Sequence, residues 1–154
     1  MVTADDLQFL DTGLAQFIGV AGRFFQYGAL FENGASQALW IKWMGLLEKY
    51  RRLLAADIVH VRRPTGRTWD AMMHADPTAP PGEPKGLAIF FNPTNATMAV
   101  NTALSVYYCG FVPGAAVNML FSNGTSNKVT QDAFFNLPVA TVLPPRGYDF
   151  IVLS

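Results

Sequence analysis

The stretch LLAADIVHVRRPTGRTWDAMMH, residues 53–74, separates a helical part of the chain from a part made of strands. Its middle has turn chemistry, because Pro64 fixes φ and Gly66 tolerates a positive φ. On the N-terminal side, Ile58–Arg63 is rich in β-branched residues, and on the C-terminal side Thr68–His74 has the length of a returning strand. We therefore predict that a helix ends here and that a β-hairpin begins the second part of the chain.

Short strands separated by turn signals follow the hairpin. Thr97–Val106 alternates apolar and polar side chains, which is the pattern of a strand with one face in water. Asn123-Gly124 is a strong hairpin signal. Strands at intervals of about ten residues, without helices between them, predict an antiparallel β-sandwich of about seven to eight strands. After the hairpin, strands are expected over residues 86–92, 97–106, 117–122, 128–133, 137–143 and 147–153.

Two amphipathic helices are expected ahead of the strands. Residues 4–18 carry apolar side chains at helical spacing. Ser36–Leu54 carries a broader aromatic and aliphatic stripe, with Ser36 as its expected N-cap. Near the end of this second helix, Glu48 is expected to pair with Arg52, four residues further along the same face.

The segment between the two helices has a different character. Residues 19–34 contain four glycines among several aromatic residues, which predicts a buried loop or a short strand and turn. The chain is therefore predicted to be mainly β. A helical segment is expected over residues 1–55 and an antiparallel β-sandwich over residues 56–154.

The composition limits the classes of function. Hydrophobic residues make up 51% of the 154 residues and charged residues 14%, which is below the usual charged fraction. This excess of hydrophobic over charged residues predicts that some apolar surface contacts a partner or a neighbouring domain. The formal net charge is zero, so no global field favours nucleic acid or an anionic membrane. No apolar run reaches the roughly 18 residues that span a bilayer, and we expect no signal peptide in this sequence.

Four strings, taken in their order, resemble one enzyme family. They are EKYRR at residues 48–52, RRPTGRTWD at 62–70, FFNPT at 90–94 and LPPRGY at 143–148. This order resembles the C-terminal end of glycoside hydrolases of the α-galactosidase-like type. The resemblance implies a (β/α)8 barrel followed by an antiparallel β-sandwich, with residues 1–55 as the remnant of a truncated barrel.

The resemblance also implies a function in carbohydrate metabolism without catalysis by this chain. In such enzymes the catalytic carboxylates lie on earlier barrel strands, so no catalytic residue is carried over to this sequence. We expect a non-catalytic C-terminal module that braces the catalytic barrel and contacts carbohydrate. The expected partner is the missing barrel, or a second copy of the chain through residues 1–54. The localisation is left open, since the parent enzyme could be secreted or lie in an internal lumen.

Candidates for contact with carbohydrate lie in the hairpin and after the fourth predicted strand. They are Trp69, Asp70, Tyr107 and Tyr108. Aromatic rings can stack on sugars, although aromatic residues in strands more often pack in a core. Asp70 has a second interpretation, because a group of arginines lies opposite it on the predicted hairpin, where an ion pair would pin the two strands. This structural hairpin network consists of Arg62, Arg63, Arg67 and Asp70.

Other motifs give weaker signals. Asn95 and Asn123 begin sequons for N-glycosylation. Cys109 is the single cysteine, so it is expected to be a small buried residue without an intrachain disulfide. His60 and His74 lie on the two arms of the hairpin and could face each other, but two histidines do not complete a metal site. We expect no metal, no cofactor, no nucleic acid and no membrane partner.

Two other classes of function stay open. The chain could be a free-standing carbohydrate-binding or protein-interaction sandwich with a helical cover, or an enzyme in its own right. Glycoside hydrolysis needs two carboxyl groups roughly 5 to 9.5 Å apart, and the eleven acidic residues are scattered along the sequence. If the module hypothesis is right, residues 55–154 alone are expected to be more soluble than the whole chain.

Overall fold

The computed structural model describes residues 3–20 and 34–154. The first helix, α1, spans Ala4–Gly19 and begins with a capping box. The Thr3 hydroxyl accepts a hydrogen bond from the Asp6 backbone N–H, and the Asp6 carboxylate accepts one from the Thr3 backbone N–H at 2.8 Å. Two otherwise unpaired N–H groups are thereby satisfied, and the predicted first helix is confirmed.

The second predicted helix is interrupted near its end. Helix α2 spans Gly34–Lys49, and a separate turn, α3, spans Arg51–Leu54. Ser36 lies inside the first turn of α2, so the prediction that it is the N-cap is wrong. The broad apolar stripe is confirmed. Its buried side chains are Trp43, Tyr50, Leu53 and Leu54, and its partly buried ones are Trp40, Met44, Leu46 and Leu47.

Eight strands follow within residues 55–154. They are β1 (Asp57–Arg62), β2 (Asp70–Ala75), β3 (Gly86–Phe91), β4 (Met98–Ser105), β5 (Ala116–Phe121), β6 (Ser126–Thr130), β7 (Asn136–Leu143) and β8 (Tyr148–Leu153). Six of them form one sheet in the order β1-β2-β3-β8-β5-β6, and β4 pairs with β7 in a second sheet. Every pairing is antiparallel. The predicted fold class, mainly β with antiparallel sheets preceded by helices, is confirmed.

The sandwich core lies between the two sheets. Phe90 of β3, Leu104 of β4 and Ile151 of β8 are among its fully buried side chains. On β4 the inward residues are buried, whereas Asn101 and Ser105 are exposed. The alternation that predicted a strand with one wet face is therefore confirmed.

A second apolar core lies on the opposite face of the six-stranded sheet. There the three helices cover Leu87, Ile89 and Phe91 of β3 and Val152 of β8, with Trp43 buried among them. Both faces of β3 are thus covered, which explains why its residues are all apolar instead of alternating. Residues 3–20 and 34–154 thus form three layers: helices, a six-stranded sheet and a two-stranded sheet.

Most of the predicted loop between the helices falls outside the described residues. Of residues 19–34, Gly19 belongs to α1 and Gly34 to α2, and residues 21–33 are not described. Among the helices that are described, none combines the length and the hydropathy needed to cross a bilayer.

Candidate functional site

Trp69 lies in the sandwich core and is only 8% exposed. Its backbone N–H donates to the Met98 sulfur at 3.0 Å, and its ring lies 6.0 Å from that of Phe90. The Arg62 guanidinium lies over the indole at 4.3 Å from the ring centroid, which is a favourable cation–π contact. Protein groups therefore surround the ring, and the prediction that Trp69 stacks on a sugar does not fit its position.

The ion pair predicted for the hairpin is not formed. None of Arg62, Arg63 and Arg67 lies within salt-bridge distance of Asp70. Strand β1 has a register shift between His60 and Arg62, which changes the cross-strand neighbours of the arginine. Burial raises the pKa of the Asp70 carboxyl, and the nearby His60 offsets part of the shift. A role of Asp70 in contacting carbohydrate stays a prediction.

Aromatic side chains are exposed at one end of the sandwich. We call this surface the aromatic end. Tyr107 and Tyr108 lie in a 3-10 helix after β4 and are 59% and 57% exposed. The Tyr107 ring packs edge-on against both Tyr108 and Phe135, with 5.3 Å between the centroids in each case. The aromatic end consists of Tyr107, Tyr108, Val112 and Phe134, all exposed.

A strained loop supports the aromatic end. Phe135 has a φ of 62°, a left-handed conformation that is costly for a large residue. The Asp132 carboxylate holds the loop by accepting the backbone N–H groups of Phe134 and Asn136, each at 2.8 Å. The Asn136 N–H bond makes the largest contribution to lowering the pKa of Asp132. The result is that the Phe135 ring stands against Tyr107 and fixes its orientation.

A polar cluster joins the helices to β8. The two oxygens of Asp11 accept hydrogen bonds from Lys42 Nζ at 3.0 Å, from Trp43 Nε1 at 2.7 Å and from the Tyr148 hydroxyl at 2.8 Å. Lys42 Nζ also donates to the Tyr148 hydroxyl oxygen at 2.6 Å. Burial raises the pKa of Tyr148, and the Asp11 carboxylate adds to the shift. Sequence reasoning missed this cluster, because Asp11 and Tyr148 are 137 positions apart.

Two clefts flank the contact between α1 and the turn that joins β7 to β8. Gln8 Nε2 donates to the Pro145 carbonyl at 2.7 Å, and the Thr12 hydroxyl donates to the Arg146 carbonyl at 2.8 Å. The larger cleft has a volume of about 600 Å³, and Asn95 is among its lining residues. The smaller cleft, of about 420 Å³, adjoins the polar cluster and shares Gln8 and Thr12 with the larger one.

Asn92 gives the FFNPT string a structural role. Its Nδ2 donates to the carbonyls of Ala96 and Pro144, each at 2.8 Å. Its Oδ1 accepts from the Thr94 backbone N–H at 3.0 Å and from the Thr94 hydroxyl at 2.8 Å. One buried amide therefore ties the β3–β4 turn to the β7–β8 turn beside the larger cleft.

The two histidines do not face each other across the hairpin. His74 lies opposite Ile58, and His60 lies opposite Met72. His74 is fully buried, with its Nε2 3.0 Å from the Gly19 carbonyl oxygen at the end of α1 and no hydrogen-bond partner for Nδ1. Burial beneath the helices lowers the pKa of His74, because it disfavours the charged form of the ring.

Arg52 ties the end of the helical part to the sandwich. Its Nε donates to Asp76 Oδ2 at 2.7 Å, and its Nη2 donates to the Thr78 carbonyl at 2.9 Å. Thr78 also donates to Asp76, and the Arg52 hydrogen bond is the main reason that the pKa of the carboxyl is lowered. The predicted pair between Glu48 and Arg52 is therefore wrong.

The remaining candidate positions lie in distinct environments. Asn95 and Asn123 are both exposed on turns. Cys109 is buried in the sandwich core, as predicted, with its sulfur 3.8 Å from that of Met73. Within residues 3–20 and 34–154, no three side chains of His, Cys, Asp and Glu come together in a way that could hold a metal ion.

Solved structures share this fold at low sequence identity. Alpha-galactosidase I from Mortierella vinacea matches with a TM-score of 0.63 and 4% identity, over 96% of this chain and 36% of that chain. AmyP, solved in complex with maltose, matches with a TM-score of 0.59 and 9% identity, over 97% of this chain and 35% of that chain. A Bacillus halodurans protein assigned as an α-N-acetylgalactosaminidase matches with a TM-score of 0.60 and 12% identity, over 93% of this chain and 30% of that chain.

These similarities establish the fold. The chain spans about a third of the length of the structures that it matches. No protein-family model matches the sequence, and no curated protein is significantly similar to it. The predicted resemblance to α-galactosidase-like glycoside hydrolases is thus confirmed at the level of the fold, over the helices as well as the sandwich, because nearly the whole chain is covered.

Proposed function

We propose that this chain is a non-catalytic C-terminal module of a glycoside hydrolase, which braces a catalytic (β/α)8 barrel through the outward face of its helices. The shared fold with structures named for α-galactosidase activity supports the proposal. The helices pack on the sandwich through an apolar core of their own. Such a module would transmit the rigidity of the sandwich to the last helices of the barrel.

The main support for this proposal is the exposed, apolar outward face of α2. Ala38, Ile41 and Gly45 lie about one helical turn apart on the exposed side of α2. Ile41 is 66% exposed, and none of the three has a polar side chain. We call these three residues the α2 row. Small and apolar side chains in such a row allow a neighbouring helix to approach closely, as barrel helices do when they lie side by side.

In the absence of the barrel, the α2 row is expected to drive self-association. At tens of micromolar, the chain should exceed monomer mass in light scattering coupled to size exclusion. Ile41→Asp should weaken this association at least tenfold, because burying an isoleucine contributes about 1.5–3 kcal/mol. At concentrations low enough for both proteins to be monomeric, the melting temperature should stay nearly the same, since Ile41 is exposed within one copy.

The matched control is Val142→Asp. Val142 is 63% exposed, but it lies on the outer face of the two-stranded sheet, away from the helices. This variant should associate like the unmodified chain. A monomer at every concentration tested, or equal disruption by the two substitutions, would contradict the bracing role of the α2 row.

The aromatic end favours a second function, contact with carbohydrate. The exposed rings of Tyr107 and Tyr108 lie at an angle of 88°, and the Phe135 contact holds Tyr107 in place. Two fixed, exposed rings are a suitable platform for the apolar faces of a sugar chain, and each hydroxyl adds a hydrogen-bonding group. A free-standing carbohydrate-binding or protein-interaction sandwich would use the same surface.

An oligosaccharide array followed by calorimetry tests this second function. Tyr107→Ala or Tyr108→Ala should weaken binding about threefold to tenfold, because a stacking contact contributes about 0.5–1.5 kcal/mol. Tyr107→Phe is the control, since it keeps the ring and should retain most of the affinity. An array without a positive sugar, or binding that survives both alanine substitutions, would exclude the aromatic end as a carbohydrate site.

A further inference from the structure

We propose that Asn95 carries an N-linked glycan, and that its first N-acetylglucosamine lies in the larger cleft between α1 and the β7–β8 turn, against the ring of Phe9. This assigns an occupant to the cleft of about 600 Å³. It is independent of the bracing role, because it concerns a covalent modification of the chain itself.

The position of Asn95 meets the requirements of an acceptor. The sequon Asn95-Ala96-Thr97 lies in the turn between β3 and β4, and its three residues are exposed. Asn95 also lines the larger cleft. A sugar attached to Nδ2 of Asn95 therefore starts at the edge of a cavity that is large enough for one or two sugar residues.

The modification leaves the observed contact of Asn95 intact. Glycosylation joins Nδ2 of the amide to C1 of the sugar, breaks the bond between C1 and the diphosphate of a lipid-linked oligosaccharide donor, and releases the Nδ2 proton. The diphosphate leaves with the electron pair. The side-chain oxygen takes no part, and this Oδ1 is the atom that accepts the hydrogen bond from Arg146 Nε. Arg146 can therefore orient the amide before and after the sugar is attached.

Arg146 is held in an unusual conformation at this site. Its φ of 48° is left-handed, which is uncommon for a residue other than glycine. Its backbone N–H donates to the Thr94 carbonyl at 2.8 Å, so the β7–β8 turn is tied directly to the acceptor turn. Strained residues that are held in place by their surroundings are concentrated at functional sites.

The walls of the larger cleft suit a sugar. Phe9 is 82% exposed and offers a ring for the apolar face of N-acetylglucosamine. Gly13, one turn further along α1, leaves room, because no atom lies within 4 Å of the place where a Cβ would be. Asp5 and Gln16 also line the cleft, and their side chains make no hydrogen bond within residues 3–20 and 34–154, so these polar side chains are available to hydroxyls and to the acetamido group.

Asn123 provides a matched comparison. Its sequon lies in the β5–β6 turn and is also exposed. Its Oδ1 accepts from the Thr125 backbone N–H at 2.9 Å and from the Thr125 hydroxyl at 2.7 Å. Neither cleft described above is lined by Asn123. A glycan at this position would extend into solvent and should leave the stability almost unchanged.

The test is a double-mutant cycle between the glycan and Phe9. The full chain, fused to a secretion signal, is produced in yeast, and occupancy of each sequon is measured by mass spectrometry. The glycans are then trimmed by endoglycosidase H to a single N-acetylglucosamine. We expect Asn95 to be occupied, and Asn95→Gln to lower the melting temperature of the trimmed protein by about 3 °C. Asn123→Gln should change it by less than about 1 °C.

Phe9→Ala tests whether the sugar on Asn95 contacts the Phe9 ring in the cleft or is attached without lying there. With the glycan present, Phe9→Ala should lower the melting temperature by about 3 °C, and in the Asn95→Gln background it should have almost no effect. Phe134→Ala is the control, because Phe134 is 79% exposed at the aromatic end, and it should show no coupling. An unoccupied Asn95, or equal effects of Phe9→Ala in both backgrounds, would overturn the proposal. Neither outcome bears on the self-association measured for the α2 row.

Discussion

Residues 55–154, produced without the helices, are expected to lose cooperative unfolding and to bind a hydrophobic dye. The helices cover Leu87, Ile89, Phe91 and Val152 in the second apolar core. Burial of each of these side chains contributes about 1.5–3 kcal/mol, so their exposure removes roughly as much as the 5–15 kcal/mol that stabilises a typical domain. The structure therefore gives reason to reverse the initial expectation that this fragment is the more soluble one. The measurement is thermal unfolding followed by circular dichroism, with dye fluorescence at 25 °C.

A polar version of the fragment is the control. Leu87→Thr, Ile89→Thr and Val152→Thr together make the uncovered face more polar and leave the inward side chains of the sandwich in place. This variant of residues 55–154 should recover solubility and bind less dye. If the unmodified fragment melts cooperatively as a monomer near the temperature of the whole chain, the second core contributes little and the stability lies in the sandwich.

Asn92→Ala is expected to lower the melting temperature of the whole chain by about 10 °C. The substitution removes the amide that binds Ala96, Pro144 and Thr94, and it leaves their carbonyl and N–H groups without this partner. Each unsatisfied group that is shielded from water costs about 1–3 kcal/mol, and a loss of about 3 kcal/mol corresponds to that shift for a chain of this length. Differential scanning calorimetry measures it.

Asn123→Ala is the matched control for Asn92→Ala. Both asparagines accept the backbone N–H and the hydroxyl of a threonine two residues later. Asn123 is exposed, so water can replace its contacts, and the expected shift is less than about 2 °C. Equal shifts in melting temperature for the two variants would mean that the local asparagine–threonine turn stabilises the chain and that the hydrogen bond from Asn92 to Pro144 adds nothing.

The strands of the sandwich were predictable because each carries a local signal. The alternation in β4 follows from one wet face, and Gly124 has the positive φ that its turn requires. The sequence only weakly indicates that the helices pack on the outer face of the six-stranded sheet. The continuous apolar run of β3 indicates that a second layer covers the sheet, but it does not say which segment provides that layer.

The candidate sites were less predictable because they depend on register and on distant contacts. A shift in β1 places Arg62 over Trp69, so the hairpin contains a cation–π contact in place of an ion pair to Asp70. Neither the amino-acid composition of the strand nor the period of its apolar residues indicates a one-residue change of register. The hydrogen bond between Asp11 and Tyr148 joins residues 137 positions apart, and neither residue has a neighbouring motif that predicts it.

The buried Cys109 can report when the two sheets of the sandwich separate, because its thiol is covered in the folded protein. It is the single thiol in the chain, and burial raises its pKa to about 12, so alkylating reagents find almost no thiolate in the closed state. It lies between the sheets and not beneath the helices. Its labelling rate therefore follows separation of the two sheets, whereas release of the helices alone leaves the thiol covered.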